Sequence, residues 1–147
     1  MYITNGMTRD KFKLIHSELI MQVQSIEHNL KLIYAGMHKG NFEKNFNALG
    51  KSNLGSLIRK LKELDYSDGH PDLSRRDYEV LEQIREIRNY WCHQCFLDYI
   101  YIQDDREREY QFQQVARRLS EDENRTWDLH EHLEKLRIKI LENYDRI

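Results

Sequence analysis

The chain has 147 residues, is 39% hydrophobic and 33% charged, carries a net charge of −2, and contains one proline and six glycines. That mixture argues against a turn-rich β fold and for long amphipathic helices. The near-neutral charge excludes binding to polyanions through the whole-molecule field, so any nucleic-acid contact needs a local patch.

One domain spanning residues 1–147 is expected from the length. The opening MYITNGMTRD lacks the basic lead and apolar run of a signal peptide. No stretch approaches the roughly 20 apolar residues that span a bilayer. A cytoplasmic protein without a membrane partner is expected.

Thr8 is placed to cap a first helix running to about Met37. Phe12, Ile15, Leu19, Val23, Ile26, Leu30, Ile33 and Met37 alternate threes and fours along it. Gly36 and Gly40 stand where a helix C-terminus is expected. Asn41 caps a shorter segment with Phe42, Phe46 and Leu49 inward, and Gly50 with the KSN after it breaks that segment. Leu54, Leu57, Ile58, Leu61 and Leu64 form the next apolar stripe. The stretch DYSDGHPDL, Asp65 to Leu73, reads as a loop from its Asp-Gly and His-Pro pairs. Ser74 and Asp77 match a capping box that opens a third long helix.

This third helix is expected to reach about Ile102, with Leu81, Ile84, Ile87, Trp91, Cys95, Tyr99 and Ile102 on one face. Arg88 falls in the middle of that face. Asn89 and His93, four apart, stack on a neighbouring one. The segment Phe96–Ile102 is apolar on nearly every side as a helix, which calls for a second layer or a second copy of the protein to cover it. From Asp104 the pattern stays helical, with Tyr110, Val115 and Leu119 inward and SEDEN, Ser120 to Asn124, marking a kink. Leu129, Leu133, Leu136, Ile140 and Tyr144 carry the stripe to the end. The expected fold is all-α: an up-down helical bundle of four long helices, one of them broken.

An arginine on a core face has two readings. It is structural if its stem packs on the core and its tip meets a carboxylate of another helix. It is functional if a fixed cation and a side chain that titrates near neutrality serve phosphoryl-transfer chemistry together. Cys92 and Cys95 read as reduced core thiols. With His130 and His132 they do not give the two well-spaced ligand pairs of a zinc site, so neither a metal nor another cofactor is expected. No glycine-rich phosphate loop or Ser-His-Asp pattern is present. Basic clusters occur at Arg59, Lys60 and Lys62, at Arg75, Arg76 and Arg85, and at Arg117 and Arg118. Arg59, Lys62 and Arg85 are the candidates to track an RNA backbone. His16, His28, His38 and His70 read as surface or loop residues.

Arg88-Asn89-Tyr90-Trp91-Cys92-His93 has the form R-N-x-x-x-H. On an all-α chain of this size, with LGSLIRKL (Leu54 to Leu61) one helix earlier and FLDYIYI after the histidine, it resembles the HEPN family of small helical domains. Many of these are metal-independent ribonucleases of toxin–antitoxin and anti-phage systems. The resemblance implies two copies pairing so that both motifs face one cleft. It implies His93 as general base or acid on the ribose 2′-hydroxyl, Arg88 stabilising charge at the scissile phosphate, and Asn89 orienting the pair. The products would be a 2′,3′-cyclic phosphate and a 5′-hydroxyl end, and the partners RNA, a second copy and an antitoxin protein. In members silenced by a nucleotidyltransferase a tyrosine commonly stands two residues after the histidine; here Cys95 does. The rival expectation is a non-catalytic helical interaction or RNA-binding module with Arg88 as a structural cation.

Overall fold

The computed structural model describes residues 6–147. These residues form an all-α bundle of five α-helices: α1 (Arg9–Met37), α2 (Phe42–Ala48), α3 (Leu54–Tyr66), α4 (Arg75–His93) and α5 (Asp105–Asn143). A 3₁₀ turn, Cys95–Asp98, follows α4. Each α-helix begins at a side chain that accepts a hydrogen bond from the backbone N–H three residues on, at Thr8, Asn41, Asn53, Ser74 and Asp104. Such caps satisfy donors that the first turn otherwise leaves free. At Ser74 the box is reciprocal, since the Asp77 carboxylate accepts from the Ser74 N–H at 2.8 Å.

The expected break between Leu49 and Leu54 is present, with Gly50 in the left-handed region at φ 52°. α2 and α3 are thus separate helices. The core gathers Phe12, Leu19, Ile26, Leu30 and Ile33 of α1 with Leu54 and Leu61 of α3, Leu81, Ile84 and Trp91 of α4, and Phe112, Leu119 and Leu133 of α5. α1 and α5 pack along their length and run in the same direction: Arg9 pairs with Glu109, Gln22 with Glu123, and Asn29 with Arg137. α4 opposes both, its Trp91 end lying on Phe12 and Asp122. At the far end α1 and α5 approach so closely that a Cβ on Gly36 would sit 2.5 Å from Leu141. There Arg146 donates to the carbonyls of Gly36 (3.1 Å) and His38 (2.8 Å), tying the chain's last residues to the end of α1.

Three expectations are corrected. α4 stops at His93 instead of reaching Ile102. Gln94 leaves helical geometry at φ −121°, and Asp98 accepts hydrogen bonds from Tyr90 Oη (2.6 Å) and Gln94 Nε2 (3.1 Å), folding the chain back as a tight turn. SEDEN does not interrupt α5, which is helical from Asp105 to Asn143. Asp122 points inward, accepts the Trp91 indole N–H at 2.8 Å and is flanked by Arg118 and Arg125, so the polar run stays helical. Asp65 belongs to α3 and is buried. It accepts from the backbone N–H of Asp72 and Leu73 and from Tyr78 Oη, which staples the α3–α4 loop shut. Tyr110 is exposed and Phe112 takes the inward position instead.

Candidate functional site

α4 carries the motif, and its helical geometry sets where each side chain can point. Arg88 and His93 are five residues apart, which separates them by roughly 140° around the axis. Arg88 faces α1, where its Nε lies 3.7 Å from Glu27 Oε1; the two side chains are 32% and 23% exposed. The apolar face therefore does not engulf Arg88, and the acidic partner that the structural reading requires is Glu27. Asn89 and His93 are exposed, His93 in the last turn of α4. Within one chain the three residues share a helix but do not converge on a common point.

The end of α4 is held by a polar network. Arg118 of α5 lies 3.5 Å over the Tyr90 ring, and the Tyr90 hydroxyl donates to Asp98. Burial, and then this hydrogen bond, push the Tyr90 phenol well above its ordinary range, while the Tyr90 and Gln94 bonds hold the Asp98 carboxyl below its own. His16 belongs to the same region. It is half-buried, stacks on Phe12, and hydrogen-bonds the Trp91 carbonyl through Nε2 at 2.8 Å, so it caps the end of α4 and is not the surface residue expected. Its position four residues after Phe12, on the α1 stripe, was the signal available in the sequence. The two thiols diverge: Cys92 is exposed, whereas Cys95 is buried and its thiol is pushed up to about 11 by burial.

Immediately after His93, Phe96, Leu97, Ile100 and Tyr101 stand exposed, while Cys95 and Tyr99 turn into the core. The 3₁₀ turn thus converts the expected all-round apolar helix into a one-sided apolar patch beside the motif. On the α3 side of α4, Arg59, Lys62 and Arg85 line one groove of about 570 Å³ with Asn53, Gly55 and Glu82. Gly55 gives Arg85 room, since a Cβ there would lie 3.1 Å from its Cδ. Arg85 pairs with Glu82 at 3.0 Å. Arg88, Asn89 and His93 do not line this groove. Arg75 and Arg76 both pair with Glu79.

Among the described residues, no three His, Cys, Asp or Glu side chains gather where they could hold a metal ion. His130 meets Ser25 and Glu134, and His132 meets Asp77. No described helix is long and apolar enough to cross a membrane. No family model matches the chain, and neither a curated protein nor a solved structure is significantly similar to it.

Proposed function

We propose that this protein is a metal-independent endoribonuclease of the HEPN type, a cytoplasmic toxin or anti-phage effector held in check by an antitoxin protein. The reading rests on R-N-x-x-x-H, and one observation supports it most: Asn89 and His93 are open to solvent on the same helix as a partly exposed Arg88, with an apolar patch directly after them. Residues roughly 140° apart on one helix act on one substrate most readily when two copies contribute. A homodimer joined across Phe96, Leu97, Ile100 and Tyr101 would bring two motifs to one cleft.

In that cleft His93 takes the proton of the ribose 2′-hydroxyl, and the freed oxygen attacks the adjacent phosphorus. Arg88 balances the charge on the phosphoryl oxygens, Asn89 orients the reacting groups by hydrogen bonding, and the same histidine of the second copy protonates the departing 5′-oxygen. A 2′,3′-cyclic phosphate and a 5′-hydroxyl remain. Arg59, Lys62 and Arg85, gathered in one groove, offer the flanking RNA phosphates a cationic track.

The Arg88–Glu27 pair favours a second reading, a non-catalytic helical interaction or RNA-binding module in which Arg88 ties α4 to α1. Purified protein and His93→Ala, incubated with total RNA in excess chelator, separate the two. Cleavage by the wild type alone, leaving cyclic phosphate ends, is the expected result, together with a dimer by light scattering. Equal cleavage by both proteins, or cleavage by neither with a monomer in solution, sinks the ribonuclease reading.

A further inference from the structure

Away from the motif, a groove of about 490 Å³ runs between α1 and α5, lined by Glu18, Met21, Gln22, Glu123, Asn124 and Trp127. Two carboxylates face it and no lysine or arginine lines it. His130, three residues after Trp127, has its ring 5.5 Å from the indole and is engaged by Ser25 and Glu134. Large apolar side chains stand out of the groove into water: Met21 is 66% exposed and Trp127 47%. Leu14, one heptad before Met21 on α1, is 67% exposed and extends the apolar edge along the helix.

Gln22 supplies an independent sign. It is only 9% exposed, its amide nitrogen donates to Glu123 Oε1 at 2.9 Å, and its buried carbonyl oxygen has no hydrogen-bond partner. A buried acceptor without a donor is costly unless an entering group satisfies it. Acids around an indole face, with a spare acceptor between them, fit a cationic side chain. An ammonium or guanidinium gains from the carboxylates and from the ring quadrupole together.

We propose that this groove docks an arginine- or lysine-bearing amphipathic segment of a partner protein. Its cationic tip sits between Glu18 and Glu123 and donates to Gln22, its stem lies on Trp127, and its apolar face covers Met21 and Leu14. A helix laying apolar anchors one heptad apart is the recognition mode that Leu14 and Met21 match. The proposal is independent of the ribonuclease reading, because the motif residues do not line this groove.

The test titrates the full-length protein with a capped amphipathic peptide bearing leucines on one face and two arginines beside them. Its twin has citrulline in place of arginine. Trp127 reports the contact by fluorescence, because the other indole, Trp91, is buried. The arginine peptide should bind saturably and at least about tenfold more tightly than the citrulline twin, a gap that closes in Glu18→Gln/Glu123→Gln. Glu18 is exposed, and glutamine in place of the half-buried Glu123 keeps an acceptor for Gln22, so that variant should keep its helical circular dichroism. Equal binding of the twins, or no saturation by roughly 1 mM, a very weak affinity, overturns the proposal. So does binding of free argininamide as tight as the peptide's, which assigns a small-molecule site. Self-association that disappears in Trp127→Ala would give the groove to a second copy and overturn it as well.

Discussion

Replacing Arg88 by alanine separates the two readings of α4, because they demand different energies from one ion pair. At 3.7 Å the gross attraction is about 4 kcal/mol with the effective dielectric suited to a protein surface. Much of it is offset by desolvation and by ordering two long side chains. With the side chains 32% and 23% exposed, the pair lies nearer the exposed class, worth up to about 1 kcal/mol, than the buried class, whose breakage costs about 3–5 kcal/mol. Arg88→Ala should therefore cost about 1 kcal/mol, a fall in Tm of roughly 3 °C for a chain of this size. Urea unfolding of wild type, Arg88→Ala, Glu27→Gln and the double variant gives the coupling directly. A coupling near or below about 1 kcal/mol agrees with Arg88 as a site residue whose ion pair is incidental. A loss above about 3 kcal/mol with a matching coupling would refute this reasoning and make Arg88 a strut between α4 and α1.

Two further outcomes follow from buried polar groups. Asp65→Ala strands two backbone N–H groups and the Tyr78 hydroxyl in a buried site, so it should cost about 3–5 kcal/mol and lower Tm by roughly 10 °C; a change of only a degree or two in calorimetry would mean the loop is held otherwise. Cys95, raised from the ordinary 9.0 to about 11 by burial, keeps its proton in the folded protein after the unfolded chain has lost it. Its stabilising contribution is present below pH 9 and fades as pH rises through 11, by about 3 kcal/mol. Denaturation midpoints of wild type should thus fall more steeply over that window than those of Cys95→Ser, and parallel curves would contradict it.

Much of the helical bundle was legible because apolar spacing is set by burial along whole helices. The stripe from Phe12 to Met37 lies inside except for the partly buried Ile15, and Thr8, Asn41 and Ser74 cap as their positions suggested. Periodicity failed where tertiary partners decide. Nothing local in Gln94–Ile102 reveals that Asp98 will take Tyr90 and end α4. Nothing in SEDEN reveals that Asp122 will meet an indole from another helix. The same holds for the candidate site. The residue types were readable, but that Arg88 would meet Glu27 depends on a contact between helices far apart in sequence, and that Arg59, Lys62 and Arg85 would share a groove depends on how α3 packs on α4.

The parallel pairing of α1 with α5 has a consequence for how the protein is made. α1 emerges well before α5, yet much of the surface that covers it belongs to α5, and the Arg146 contacts to Gly36 and His38 join residues more than a hundred positions apart. A growing chain therefore carries the apolar stripe of α1 without its main cover until α5 has been made, an interval in which such surface favours aggregation. Contacts of this long sequence separation also slow folding relative to a bundle of adjacent hairpins. Removing the Arg146 side chain would leave α1 and α5 without the clasp at their shared end.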